Sequence, residues 1–499
     1  MSIAAPPPDL PPSNLPLPDL GDLLLERAFV GGRWIEAAAR FPVTDPATGA
    51  RVAAVPDLDA AQGLEAVAAA RRALPAWRAL TGKQRAAHLR AWYDLIVAEV
   101  DRLAALMVLE QGKPLAEARG EVLFGASYVE WYAEEAKRLY GDIVPTYAAD
   151  RRVLIARQPV GVVFAVTPWN FPSAMVARKV APALAAGCTL VLKPAEQTPL
   201  SALALARLAE RAGLPPGVLN VVTCRNPAPL GQALTASPEV AKVTFTGSTE
   251  VGKLLLRQSA DTVKKVTLEL GGHAPFLVFE DADLEAAVEG AMASKFRASG
   301  QTCVCANRFL VQETVMEAFR DKLVAAVAGL KLGGGFEPGV TQGPLIDQRA
   351  VAKVSRHVEE AVAGGAEVAI GGAPHALGGT FYQPTVLTGV APSMLVAREE
   401  TFGPVAPLLA FRDEAEAVRL ANDTRYGLAA YAYTRDLGRA FRLADALEAG
   451  SVGINTGVMS TEVAPAGGMK ESGIGREGSR YGLDDFVELK YLCIAGLAA

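Results

Sequence analysis

Strand-like and helical runs take turns along most of this chain, and that alternation restricts its fold more than any other feature. Between Val153 and Val166 two β-rich runs, Val153-Leu154-Ile155 and Val160-Gly161-Val162-Val163-Phe164, stand too close together for a helix to fit between them. Thereafter Thr189 to Leu192 precedes an alanine-rich helical run from about Pro199 to Ala212, and Leu219 to Val222 precedes another near Pro229 to Ala236. Lys242 to Thr246 precedes a third, Val251 to Gln258, and Val266 to Leu270 closes the series. Strand, helix and strand repeated in this way predict a parallel sheet covered on both faces. A second series, with helices expected at about Leu284 to Ser299, Val315 to Leu330, Val351 to Ala363, Glu414 to Asn422 and Gly438 to Leu447, predicts a second α/β domain. Upstream, Leu89, Trp92, Ile96, Leu103 and Leu106 share one helical face between Arg85 and Gln111. Gly112 and Pro114 then stop that helix, and a second runs from about Leu115 to Leu139. The tail from Phe486 to Leu492 alternates apolar and charged residues as a half-buried strand does, and such a strand needs a partner edge.

Composition narrows the class. With 499 residues the chain has room for more than one domain, and 51% hydrophobic against 21% charged residues is ordinary globular usage. A formal charge of −5 offers no global attraction to a phosphate backbone, so no nucleic-acid partner is expected. Five scattered cysteines suit a reducing compartment, and the cytoplasm is the expected location. Four histidines without a CxxC or HExxH spacing predict no metal. Residues 1–20 form a proline-rich arm that lacks both the basic start and the apolar run of a signal peptide. The charge-free stretch from Gln158 to Ala177 is interrupted by Pro159, Pro168 and Pro172, which argues against a membrane span.

Several short segments could carry chemistry. Gly300-Gln301-Thr302-Cys303-Val304-Cys305 holds two of the cysteines beyond a helical run, and a thiolate there would be a soft, strong nucleophile. Either cysteine could instead pack as a small hydrophobe. His88, His273, His357 and His375 sit in no cysteine-protease context, so the base would be something else. Glu269 lies in an apolar run that ends in Gly271-Gly272, and burial pushes such groups toward the proton affinity a general base needs. A strand-end glutamate held in a salt bridge is the structural alternative. In Pro168-Trp169-Asn170-Phe171-Pro172 a rigid loop presents an amide that could donate to a developing oxyanion, or could simply serve a turn. Lys193 and Glu196 follow a strand at the end where open α/β sheets bind ligands, where they could hold ribose hydroxyls or pair in solvent. Gly247 to Leu254 nearly spells a P-loop between strand and helix, and its start suits a phosphate. Leu254 stands where a P-loop needs serine or threonine for magnesium, which weakens the reading as a nucleotide hydrolase.

Taken in order, PWNFP, KPAEQTP, FTGSTEVG, LELGG, GQTC and EETFGP resemble the aldehyde dehydrogenase superfamily over roughly residues 20 to 495. The run from Lys295 to Arg308, with Ile454-Asn455-Thr456-Gly457 and Leu489-Lys490-Tyr491, is most similar to succinate-semialdehyde dehydrogenases. The resemblance implies an α/β fold of two Rossmann-like parallel-sheet domains with a small β oligomerisation flap. Residues 21–143 and 163–272 would bind NAD, 273–471 would be catalytic, and 144–162 with 472–499 would form the flap of a homodimer or homotetramer.

Residue by residue, it makes Cys303 the nucleophile that forms a thiohemiacetal and then a thioester, Asn170 the oxyanion donor and Glu269 the base for hydrolysis. Lys193 and Glu196 match adenosine-ribose ligands and Gly247 and Ser248 pyrophosphate contacts. Glu400 and Phe402 match the nicotinamide-ribose site, with Trp169 and Leu270 also beside the cofactor. A carboxylate at Glu196 favours NAD, with NADP second. Arg178, Arg297 and Ser460 match the positions that hold a distal carboxylate, which implies succinate semialdehyde as substrate. Ala466 replaces a usual aromatic, so a longer aldehyde such as glutarate semialdehyde is the alternative. Cys305 is a candidate for a redox switch through a strained bond to Cys303, and His273 has no assigned role.

Overall fold

The computed structural model describes residues 19–497, and its organising feature is a pair of mainly parallel sheets. The first has eight strands. Its parallel centre is Leu219–Val221, Thr189–Lys193, Val162–Val166, Val240–Thr246 and Lys265–Glu269 in spatial order. Antiparallel strands flank it, Ala28–Val30 with Arg33–Ile35 on one side and Gly473–Ile474 on the other. The second sheet has seven strands, ordered Glu367–Ile370, Thr385–Thr388, Val405–Phe411, Ala306–Gln312, Ala274–Val278, Ala429–Tyr433 and Ser451–Ile454. Only its first pair is antiparallel. Parallel strands buried on both faces are near-continuously apolar, as in Val162–Val166 and Ala429–Tyr433, because helices cover them above and below.

Two long helices were not expected, Ala60–Ala79 and a second that follows the PWNFP loop. Ala174–Ala186 follows the PWNFP loop and is buried along all its residues. It is buried on every side, with Arg178 and Lys179 paired inside, so its charges mark no solvent face, and the charge-free run read as a proline-broken stretch conceals its start. Gly187 ends it in the left-handed conformation at φ 96°, where a side chain would be strained. The helix expected from Arg85 to Gln111 is two, Gly82–Ala98 and Val100–Gln111, joined at Glu99.

The small three-stranded sheet pairs Val487–Ile494 with Arg152–Pro159 in eight registers, and Asp142–Val144 adds to the other edge. Two expected flap boundaries therefore move: the sheet begins at Asp142, and Gly473–Ile474 joins the edge of the first large sheet instead. The terminal strand is also less covered than its alternation suggests. Only Val487 is buried, while Leu489 and Tyr491 are 66% and 57% exposed. The proline-rich arm lies outside the described residues except for Asp19 and Leu20. Among the described residues no helix is long and apolar enough to cross a membrane.

Candidate active site

A cavity of about 770 Å³ opens where the carboxyl ends of the first sheet face the second domain. Cys303, Glu269 and Asn170 line it together with Trp169, Gly247, Ser248, Leu270, Glu400 and Phe402, and so do Arg178, Arg297, Ser460 and Ala466. Lys193 and Glu196 are outside its wall and pair with each other at 3.1 Å beyond the strand Thr189–Lys193. Among the described residues no three His, Cys, Asp or Glu side chains are grouped to hold a metal.

The thiol is placed by an unusual stretch of backbone. The helix Leu284–Lys295 ends earlier than its sequence suggests, and Ala298, Ser299 and Gly300 then turn left-handed at φ 49°, 57° and 72°. Glycine enters that region freely, whereas each of the other two costs about 1–2 kcal/mol there. Specific bonds offset that cost: the Ala298 N–H donates to Glu117 Oε2 at 2.8 Å, and the Ser299 hydroxyl donates to the Gly343 carbonyl at 2.7 Å. Gly300 also has no room for a side chain, since a Cβ would lie 2.2 Å from the Gly403 carbonyl oxygen. Burial, with the Glu269 carboxylate nearby, pushes the Cys303 thiol well above its usual range, and Arg178 opposes that shift.

Asn170 is buried, and its Nδ2 donates to the Gln301 carbonyl at 2.9 Å. One amide hydrogen thus fixes the side chain beside the cysteine loop, and an Asn amide carries a second that can meet an oxyanion. Beneath this loop lies a buried ion pair that the sequence reading missed, Lys113 with Glu121. Lys113 Nζ donates to the Asn170 carbonyl at 2.8 Å and sits 4.3 Å from the Phe171 ring centroid. Glu121 Oε1 accepts from the Ser173 and Ala174 N–H groups at 2.9 and 3.2 Å, which ties the loop to the start of the following helix. The Arg297 guanidinium approaches the same ring at 5.5 Å, forms no ion pair among the described residues, and leaves its Nε unpartnered.

Glu269 accepts from Arg178 Nη2 at 3.2 Å and from the Thr246 hydroxyl at 3.4 Å. Arg178 is also 3.1 Å from Glu477, whose second oxygen pairs with Lys179. Neither Glu477 nor Lys179 carried a sequence signal, because their partners are distant along the chain. Glu400 Oε1 accepts from the Gly272 N–H at 2.9 Å, and burial pushes its carboxyl up to about 7. Trp169 and Phe402 meet edge to face, 5.5 Å between centroids.

The remaining expectations resolve differently. Ser248 caps the helix Thr249–Ala260, but Lys253 pairs with Glu471 at 2.9 Å and does not line the cavity, so the P-loop reading loses its lysine as well as its magnesium ligand. Cys305 is buried away from the cavity, its Sγ 3.4 Å from the Gly300 carbonyl and 3.7 Å from Lys295 Nζ. A bond to Cys303 would require it to leave those partners. His273 is buried with neither ring nitrogen bonded, and burial holds it well below its usual range.

Two outcomes follow from this geometry. Alkylation of Cys303 by iodoacetamide in the free protein should still be rising with pH above about 10, where an ordinary thiol has levelled off; a plateau at neutral pH would contradict its buried setting. Lys113→Met leaves Glu121 buried without its cation and should lower the unfolding free energy by about 3–5 kcal/mol in denaturant titration.

The aldehyde dehydrogenase family model matches residues 34–492. A glutarate-semialdehyde dehydrogenase of Pseudomonas aeruginosa is 58% identical over 477 residues, spanning 95% of this chain and 99% of the relative. The NADP(+) succinate-semialdehyde dehydrogenase GabD of Escherichia coli is 57% identical over 475 residues, spanning 95% and 98%. The crystal structure of a succinate-semialdehyde dehydrogenase from Burkholderia pseudomallei superposes with a TM-score of 0.94 at 59% identity, over 95% of this chain and 98% of that one. The sheets, the cavity and these likenesses agree: the chain belongs to the aldehyde dehydrogenase family.

Proposed function

We propose that this protein oxidises succinate semialdehyde to succinate with a nicotinamide dinucleotide, by way of an acylated Cys303. The observation that carries this reading is the convergence on one cavity of a thiol, an amide donor, a carboxylate and a guanidinium that has no ion pair among the described residues. Glu269 takes the Cys303 proton and passes it to solvent, the thiolate attacks the aldehyde carbon, and the new oxyanion is met by the Asn170 amide and the Cys303 N–H. When bound, the dinucleotide supplies a hydride acceptor for that carbon. Glu269 then takes a proton from water, the hydroxide adds to the thioester carbonyl, and the carbon–sulfur bond breaks to release the acid and the Cys303 thiolate.

The residues present fit such a cofactor. Gly247 and Ser248 stand where the strand Val240–Thr246 gives way to the helix Thr249–Ala260, whose first N–H groups suit a phosphate. Gln197 Oε1, buried and unpartnered, and the carboxylate of Glu400 belong to residues on the same cavity wall and would accept hydroxyl donors. Glu196 would repel a 2′-phosphate, which supports NAD as the preferred dinucleotide with NADP second, although the Escherichia coli relative is named for NADP.

Arg178, Arg297 and Ser460 share that cavity wall and would meet the distal carboxylate, the guanidiniums by paired donors in one plane. Ala466 leaves that cavity without an aromatic at one point of its wall, which favours glutarate semialdehyde as a second substrate and accords with the name of the Pseudomonas relative. Ile143, 79% exposed, with Leu489 and Tyr491 on the small sheet, would be covered by a second copy of the chain in a dimer or tetramer.

Following reduced cofactor with succinate semialdehyde, glutarate semialdehyde and propanal, each with NAD and NADP, tests both assignments. Arg297→Ala should raise KM for the two semialdehydes at least about tenfold more than for propanal, and equal effects would remove the carboxylate assignment.

A further inference from the structure

His357 occupies a core position on the helix Gln348–Ala363, whose buried face otherwise carries Val351, Val354, Val358 and Ala361. Its side chain has no solvent contact, yet both ring nitrogens have partners: Nδ1 lies 3.2 Å from the Thr401 hydroxyl and Nε2 lies 3.3 Å from Glu399 Oε2. His273, also buried, has none. Burial, with Lys353 nearby, pushes His357 down to about 4, so the ring is neutral and has one donor and one acceptor. A carboxylate only accepts, which puts the hydrogen on Nε2 and leaves Nδ1 to accept from Thr401. The ring thus spans the residues on either side of Glu400.

The same helix holds this segment at other points. Lys353 Nζ, one turn earlier, donates to the Glu400 carbonyl, Arg356 pairs with Glu399 at 3.3 Å, and Glu360 Oε2 accepts from the Leu395 N–H at 2.9 Å. The packing is close, because a Cβ on Gly403 would lie 2.4 Å from Val354 Cγ2. Between Thr401 and Gly403, Phe402 is left-handed at φ 57°, a conformation that a bulky residue keeps only where its surroundings hold it. Glu400 and Phe402 line the cavity, whereas His357 stands behind its wall.

We propose that His357 is a positioning residue for the dinucleotide: with its hydrogen on Nε2 it bridges Glu399 and Thr401, holds the turn at Phe402, and so keeps Glu400 and Phe402 where the nicotinamide ribose would lie. This rests on the proposed dinucleotide-dependent reaction. It links a residue outside the cavity to cofactor binding and leaves the aldehyde end of the cavity untouched.

The test compares His357→Leu and His357→Gln with the parent in the full chain. Binding is read without aldehyde, by fluorescence titration with whichever of NADH and NADPH the parent binds more tightly, and steady-state kinetics are followed with succinate semialdehyde and with propanal. His357→Leu should weaken dinucleotide binding and raise KM for the oxidised dinucleotide by about tenfold or more, while KM for either aldehyde changes by less than about threefold. A loss of stability alone would not divide the two KM values in this way. His357→Gln, whose amide supplies both a donor and an acceptor, should recover much of the dinucleotide affinity. If His357→Leu does not fold, His357→Asn, too short to reach both partners, carries the comparison with a smaller rise confined to the dinucleotide. The proposal is overturned if the variants bind the dinucleotide as the parent does, or if KM for the aldehydes rises in equal measure. A protein that is inactive on semialdehydes but shows this division with propanal would refute the substrate reading and keep this one, and a parent that binds neither dinucleotide would refute both.

Discussion

The chain from Arg297 to Cys303 is held from both domains, and the chemistry depends on that clamp. Its left-handed run could relax toward ordinary helix if the two sides let go. Glu117 and Asn170, from the first domain, bond to Ala298 and Gln301, while Gly343 and Ile346, from the second, bond to Ser299 and Gln301. Gly272 closes the approach, since a Cβ there would lie 2.3 Å from the Cys303 carbonyl oxygen. A nucleophile built on a flexible loop would lose much of the orientation that makes covalent catalysis fast. Here the strained backbone and its bonds place the thiol against the carboxyl ends of the first sheet, where the amide and the carboxylate already stand.

Charge is distributed around that clamp with the same economy of partners. On one side Arg178, Lys179, Glu269 and Glu477 compensate one another; on the other Lys113 and Glu121 support the Asn170 loop. Buried ion pairs contribute little net stability against apolar replacements, yet removing one partner is expensive. Such pairs therefore suit a role in fixing geometry. Arg297 is a half-buried cation over Phe171 with no carboxylate in ion-pair distance among the described residues, and in the proposed function the substrate supplies that charge.

Much of this was legible in the sequence. The alternation of runs predicts both parallel sheets, and each of the six motifs supplies residues to the cavity wall. Local strand and helix signals survive in sequence because they depend on neighbours. What stayed hidden depends on distant partners: Lys113 reads as a lysine before a proline, and Glu477 as a glutamate in a glycine-rich tail, until folding brings them under Asn170 and beside Arg178. The helix Ala174–Ala186 escaped because burial on all sides erases periodicity, and the left-handed turn after Lys295 escaped because alanine and serine give no warning of positive φ.

The most direct test of the account is chemical trapping of the acyl intermediate. Protein quenched in acid during turnover with succinate semialdehyde and NAD, digested and examined by mass spectrometry, should carry one succinyl group on the peptide containing Cys303 and Cys305, with fragmentation placing it on Cys303. A fully active protein that shows no such adduct, or carries it on Cys305, would contradict the account.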